Sequence, residues 1–172
     1  MIVAHYKALR RLLETHLNET PRYHDRDQRR YGVDWYNAQY ENINTEDAVS
    51  YPMIYIEFVQ PIAWQSLGDE QEAECTINLH LVDTSLTDCP EHILNKSDHL
   101  SRKIHGERLF SEGVGWMSHP LVSGEMNMPT FDNVKVVVLS LETTLVRNMR
   151  EGRQEITPRF TIGEPTETKP VE

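Results

Sequence analysis

The pattern of apolar and polar positions begins with a helical repeat at the N-terminus. Over residues 2–18, charged side chains are interspersed with apolar ones that recur every three or four positions, namely Val3, Tyr6, Leu9, Leu13 and Leu17. This spacing predicts an amphipathic helix, because residues three and four apart share one helix face. Pro21 limits the helix at its C-terminal side.

Three later stretches show the patterns of β-strands. Residues 51–59 and 72–83 alternate apolar and polar side chains, and the loop of about a dozen residues between them favours an antiparallel pair. Within that loop, residues 61–70 are turn-like. Residues 134–146 are apolar on both faces at their start, which is typical of a central strand in a sheet covered on both sides.

A second helix is predicted from Asp88 to about Ile104. Asp88 is a capping residue, Pro90 suits the first turn, and Gly106 ends the helix. Residues 107–133 contain glycines and lack a clear period, with one strand expected near 121–128. The order of elements predicts an α+β fold, an antiparallel or mixed β-sheet flanked by two main helices.

This fold is expected to form one domain over residues 1–150. Residues 151–172 form a C-terminal extension, and its polar, proline-containing end predicts disorder from about residue 163. Residues 22–50 lack a clear period and predict a long excursion with at most a short strand.

The charge distribution narrows the classes of function that the chain can have. The formal net charge is -10, and residues 31–95 hold twelve Asp or Glu and no Lys or Arg. This imbalance argues against wrapping a nucleic acid, which requires neutralisation of phosphates. Two interpretations stay open: a solvated acidic surface, or a surface that repels a polyanion.

The cysteines and the hydropathy narrow the class of protein. Cys75 and Cys89 form no CxxC pair and are interpreted as reduced thiols of a cytosolic protein, with Cys75 on the apolar face of its strand and therefore in the core. No apolar run approaches the ~20 residues that span a bilayer, and no signal peptide is predicted. We expect no membrane association.

The candidate catalytic groups do not form a recognisable pattern. None of the eight histidines makes the i, i+4 pair of a helical metal site. An alternative interpretation is a small metal-dependent hydrolase that uses Glu72, Glu74 and His80, although no lysine occurs between Lys7 and Lys96. The favoured interpretation is a protein that is not an enzyme, with no catalytic residues, no cofactor and no metal.

The arginine- and tyrosine-rich segment over residues 22–40, which we call the basic arm, is the best candidate for an interface. Its arginines alternate with aromatic side chains, residue types that are enriched in protein–protein hot spots and also suit single-stranded nucleic acid. The nearby acidic residues favour a protein partner, so this basic arm is predicted to dock on the acidic stretch of a neighbouring copy. Such head-to-tail contacts generate rings when they close. The predicted interface residues are Arg26, Arg29, Arg30, Trp35 and Tyr36.

The layout of elements resembles the tail terminator, or tail-completion, proteins of long-tailed bacteriophages and prophages. The similarity covers roughly residues 2–146 and rests on the N-terminal helix, a strand beginning Tyr51-Pro52-Met53-Ile54-Tyr55-Ile56, the strand Glu74–Asp83, the helix His92–His105 and the strand Val134–Leu145. The long insertion 22–49 and the residues after Arg147 do not align with the family pattern.

The resemblance implies a structural role in the virion. Proteins of this family form hexameric rings that cap the finished tail tube, end its polymerisation and face the head connector. The implied partners are further copies of this chain, the tail tube protein and the head-connector protein, with DNA passing through without specific binding. The implied location is the tail or neck of the virion, after assembly in the host cytoplasm. Alternatives are another neck or head–tail joining protein, or an adaptor or ligand-binding module.

Overall fold

The computed structural model describes residues 2–17, 31–41, 51–84, 91–131 and 134–149. Its helices are α1 (Ile2–Leu17) and α2 (Glu91–Ile104). The strands are β1 (Gly32–Trp35), β2 (Met53–Phe58), β3 (Gln65–Leu67), β4 (Glu70–Thr84), β5 (Phe110–Ser111), β6 (Gly115–Trp116), β7 (Val122–Asn127) and β8 (Val134–Asn148). Neither described helix has the length and apolar character that crossing a membrane requires.

Six of these strands form one mixed sheet. The order across it is β1-β2-β4-β8-β7, and β3 pairs with β4 beside this path. The β1–β2 pair is parallel, and the other pairs are antiparallel. Strands β5 and β6 form a separate two-stranded hairpin. The predicted α+β fold, with a mixed sheet and two main helices, is confirmed.

The long β4–β8 pair divides the sheet into two faces. The two strands stay in register from Glu70↔Asn148 to Thr84↔Val134. Because successive side chains point to opposite faces, alternate residues of each strand lie on the same side. On the inner face, buried residues of β4 and β8 such as Leu79 and Leu139 join one core with both helices, which contribute Leu9, Leu13, Ile93, Leu100 and Ile104.

The structure places Cys75 in this core, as predicted. Its side chain is buried and its thiol is free of any disulfide. Burial, with a smaller contribution from Glu142, raises the pKa of the Cys75 thiol to about 11, so the unreactive protonated form dominates at neutral pH. Cys89 and the predicted cap at Asp88 lie outside the described residues.

Short elements were the ones that sequence patterns did not reveal. Strand β1 has four residues with only Val33 buried, and β3 has three exposed residues in the stretch predicted as turn-like. The β5–β6 hairpin lies in the stretch predicted as irregular apart from one strand, which is present as β7. Strands of two to four residues are too short to show a hydrophobic period. The predicted extension 151–172 lies outside the described residues.

Candidate functional site: the outer face of the sheet

The sheet face opposite the helices, which we call the outer face, is acidic in the half that contains the start of β4 and the end of β8. Alternation along β2, β4 and β8 places on this outer face the side chains that we call the acidic face: Glu57, Glu70, Glu72, Glu74 and Glu142. The outer positions of these three strands hold no Lys or Arg. The basic residues that they do contain, Lys135 and Arg147, fall at inner positions.

Contacts across the acidic face are few and polar. The hydroxyl of Thr76 donates to the Glu142 carboxylate at 3.1 Å, and His119 Nε2 lies 3.7 Å from Glu72 Oε1. Glu74 and Glu142 are exposed, so most of this negative charge faces solvent. The surface therefore repels polyanions at close range, within a screening length of roughly 8 Å at physiological ionic strength.

The other half of the outer face, at the end of β4 and the start of β8, is covered by aromatic side chains. Residues 36–41 cross the sheet there, and Tyr40 is 2% exposed. Its ring lies 5.1 Å from that of Phe131 in an edge-to-face arrangement. Together these side chains bury a second, smaller cluster whose buried members are Tyr40, Tyr55, Val82, Val134 and Val136. This cluster explains why β8 begins with apolar residues on both faces.

His80 sits at the boundary between the aromatic and acidic halves. Its Nε2 lies 3.0 Å from Glu57 Oε2, and its Nδ1 lies 2.8 Å from the Tyr40 hydroxyl. The Tyr36 ring stacks on the imidazole with centroids 4.1 Å apart and planes 4° from parallel. Because a carboxylate accepts hydrogen bonds, Nε2–H donates to Glu57 and Nδ1 accepts from Tyr40 in the neutral ring.

The polar contacts extend from Glu57 across the sheet. Asn78 Nδ2 donates to Glu57 Oε2 at 2.8 Å, and the Ser140 hydroxyl donates to Asn78 Oδ1 at 2.9 Å. Three adjacent strands are therefore joined by side-chain hydrogen bonds. The network links the aromatic side chains of residues 36–41 to the acidic face. We call it the His80 lock, because both imidazole nitrogens have hydrogen-bond partners that hold the ring in place.

Burial sets the protonation states in this lock. Desolvation lowers the pKa of His80 from its ordinary value near 6.5, and the neighbouring Glu57 carboxylate opposes this shift in part. Desolvation also raises the pKa of Tyr40 to about 12. At neutral pH the imidazole is therefore uncharged and the hydroxyl keeps its proton. His80 lies on the outer face of β4, where residues 36–41 bury it.

The side chains considered for a hydrolase do not converge. His80 lies six residues from Glu74 and eight from Glu72 along the same strand, which corresponds to roughly 20 and 26 Å. Within the described residues, no group of three His, Cys, Asp or Glu side chains is arranged to hold a metal ion.

The predicted interface residues fall into two groups. Arg26, Arg29 and Arg30 lie outside the described residues. Trp35 is 39% exposed at the sheet edge and packs on the helix side, where its ring lies 5.3 Å from Tyr6. Tyr36 belongs to the opposite side of the sheet, where it covers His80. The structure therefore separates two aromatic residues that are adjacent in the sequence and were predicted to share one interface.

Comparison with known proteins adds little to this geometry. No family model matches the chain, and no curated protein matches it. One solved chain without a functional name has 16% sequence identity, a TM-score of 0.46, and a match covering 81% of this chain and 94% of that chain. A similarity of this size carries no argument about function.

The His80 lock predicts a loss of stability on mild acidification. Since burial lowers the pKa in the folded state, the unfolded chain binds the proton more readily. The stabilisation is therefore complete above about pH 6.5 and decreases as the pH falls from there towards the lowered folded pKa. Urea denaturation between pH 7.5 and 5.5 should show this slope in the parent.

A His80→Gln variant provides the control for that slope. Its amide still hydrogen-bonds but does not titrate, so the variant should be less stable at pH 7.5 and show a shallower decrease. Equal slopes in the two proteins would mean that other groups carry the pH dependence.

Proposed function

We propose that this protein is a structural component of a long phage tail, a tail terminator that forms a ring on the end of the tail tube. The observation that supports this proposal is the acidic face. Five glutamates line one side of the sheet, and the outer positions of β2, β4 and β8 hold no Lys or Arg. A ring through which DNA passes requires a lumen to which the duplex does not adhere.

The physical argument concerns phosphate binding. Duplex DNA carries one negative charge per ~1.7 Å, and proteins bind it chiefly by neutralising phosphates with Lys and Arg. A surface of carboxylates offers no such neutralisation and raises the local repulsion. With the acidic face towards the lumen, the duplex would pass without specific contacts, as the proposed role demands.

The remaining parts of the proposal follow from this role. The chain would act as a homo-oligomer, with a hexamer as the expected ring, and the tail tube protein and the head-connector protein would be its partners. Its place would be the tail or neck of the virion, and it would have no enzymatic activity. Another neck or head–tail joining protein would share the acidic lumen and would differ in the partner that it contacts.

Capping of tail tubes is the experiment that tests this function. Purified protein would be added to polymerising tail tube protein from the same genome, and tube lengths measured by electron microscopy. A terminator should stop elongation and appear as a ring at one tube end. Tubes that grow to the same length, with no protein bound at either end, would overturn the proposal.

Charge reversal on the acidic face gives a prediction for DNA adhesion. The variant Glu72→Lys/Glu74→Lys should acquire affinity for duplex DNA, because it replaces two carboxylates by two phosphate-binding side chains. The slope of log K against log salt should steepen by about one for each phosphate that a new lysine neutralises. Fluorescence anisotropy with a labelled duplex measures both quantities.

A control variant with the same change in net charge distinguishes an effect of the acidic face from an effect of the net charge of the whole molecule. Glu14→Lys/Asp98→Lys alters exposed residues of α1 and α2 on the helix side. It should bind DNA much more weakly than the variant of the acidic face. Equal binding by the two variants would show that net charge alone excludes DNA, and the lumen argument would be lost.

A further inference from the structure

The turn that buries His80 is joined to the sheet mainly by side chains. We call residues 36–41 the covering turn. At its start, the Tyr36 amide donates to the Ile56 carbonyl of β2 at 2.9 Å. At its end, the Glu41 amide donates at 3.1 Å to the carbonyl of Ala38, which belongs to the turn itself. The covering turn can therefore move away from the outer face without breaking the ladder between β4 and β8.

The apolar cluster beneath the covering turn is separate from the main core. Its buried members lie on the outer face, whereas the main core joins the inner face to both helices. Opening of the turn would thus disturb the smaller cluster alone. Proteins open locally in such cooperative units, at a lower free energy than that of global unfolding.

His80 is buried by the covering turn and by little else on its outer side. It is 6% exposed, although it projects from the outer face of β4. The Tyr36 ring stacks on the imidazole at 4.1 Å between centroids, and the Tyr40 hydroxyl lies 2.8 Å from Nδ1. Since both tyrosines belong to the turn, its opening would bring water to the imidazole while the sheet stays folded.

Two carboxylates face the imidazole, and burial outweighs them. Glu57 lies on β2 at 3.0 Å from Nε2, and Glu41 lies on the covering turn. Directly opposite His80, β2 contributes Tyr55 and β8 contributes the uncharged Val138. Both carboxylates favour the charged ring, but desolvation has the larger effect and holds the pKa of His80 below its ordinary value.

The hydrogen bonds of the closed turn also favour the neutral ring. Nε2–H donates to Glu57, so Nδ1 is the acceptor for the Tyr40 hydroxyl. A protonated ring carries a hydrogen on each nitrogen. The Tyr40 hydroxyl would then have to rotate and give up Nδ1 as its acceptor, inside a cluster where Tyr40 is 2% exposed.

We propose that the covering turn is an acid-responsive cover, which opens locally when His80 binds a proton while the rest of the sheet stays folded. The opened turn no longer covers the apolar residues Tyr55, Val82 and Val136 beside the acidic face. The inference goes beyond the proposed function and does not depend on it. It assigns the response of this protein to mild acid to one short segment.

The direction of the response follows from the two states of His80. Above about pH 6.5 the ring is neutral in the closed and in the opened turn, so the pH has no effect. As the pH falls from there, the solvated ring of the opened turn binds the proton more readily. The opening constant should rise by up to about tenfold for each pH unit, until the lowered pKa of the closed form is reached.

Native-state hydrogen exchange, followed by NMR between pH 7.5 and 5.0, tests this proposal. The Tyr36 and Glu41 amides report on the turn, and the Leu79 amide reports on the sheet. Protection factors, which are corrected for intrinsic exchange, should fall with acid at Tyr36 and Glu41. A low concentration of urea should leave this opening unchanged and speed exchange at Leu79, because local opening exposes little surface.

Three variants identify the group that titrates. His80→Gln keeps a hydrogen-bonding side chain that does not titrate, so the protection of the turn should not vary with pH. Glu57→Gln keeps an acceptor for Nε2–H but removes a charge that favours the imidazolium, so the decline should extend to lower pH than in the parent. Glu74→Gln, an exposed carboxylate elsewhere on β4, is the matched control and should follow the parent. Circular dichroism establishes the fold of each variant.

Several outcomes would overturn the inference. The turn amides could exchange in step with the Leu79 amide and with the same urea dependence, which would leave only global unfolding. Protection of the turn that is constant from pH 7.5 to 5.0, or that declines equally in His80→Gln, would remove the role of the imidazole. A decline that ends at higher pH in Glu57→Gln than in the parent would contradict the assigned electrostatics.

Discussion

Tyr40→Ala is expected to lower the free energy of unfolding by about 3–5 kcal/mol, the range for removing a buried aromatic side chain. Tyr40 is 2% exposed and its ring contacts those of Tyr55 and Phe131, at 6.3 and 5.1 Å between centroids. Its hydroxyl is also the partner of His80 Nδ1. The substitution therefore opens a cavity and leaves a buried nitrogen without its donor, and urea denaturation at pH 7.5 measures both effects together.

Tyr40→Phe separates the two effects. It keeps the ring and removes only the hydroxyl, so the expected cost is about 1–2 kcal/mol for the unsatisfied nitrogen of His80. It should also change the pH dependence of stability, because Nδ1 loses its partner. A Tyr40→Ala cost below about 1 kcal/mol would show that residues 36–41 do not hold the outer face together.

Leu109→Ala is expected to cost about 2–5 kcal/mol, because Leu109 is fully buried at the base of the hairpin. Its side chain belongs to the main core, while its backbone N–H and carbonyl bond to Ser118 and Met117. Loss of the side chain should loosen the hairpin before the rest of the sheet unfolds. Hydrogen exchange of the Met117 amide, compared with that of the Leu79 amide, measures this local effect.

Leu67→Ala is the matched control for that substitution. Leu67 is 58% exposed, so the same change of side chain should alter stability by less than about 0.5 kcal/mol. If Leu109→Ala were equally mild, the hairpin would be held by its hydrogen bonds alone.

Long periodic segments made most of the fold predictable. The predicted helix 2–18 is present as Ile2–Leu17, and the predicted strands 51–59, 72–83 and 134–146 are present with ends shifted by a few residues. In each, burial of one face imposes a repeat that the sequence shows directly. The antiparallel pairing of β2 and β4 was likewise predictable from the loop between them.

The site was less predictable because it joins residues that are far apart in sequence. The bond between Tyr40 and His80 spans forty positions and depends on a short strand that places residues 36–41 over the sheet. One local signal was present. Some outer positions, where the alternation would place polar side chains, hold apolar ones instead: Tyr55, Val82 and Val136. Apolar residues at outer positions indicate that something covers them, although they do not identify the cover.

The uninterrupted ladder between β4 and β8 also bears on the fidelity of folding. A slip of one residue in this pair would exchange the two faces of the shifted strand. Glu70, Glu72 and Glu74 would then enter the core beneath the helices, while Ile77 and Leu79 would face water. The desolvation of three carboxylates and the exposure of the apolar residues both oppose such a slip. The glutamates that give the outer face its negative charge therefore also oppose a misregistered pairing of β4 and β8 while the sheet is forming.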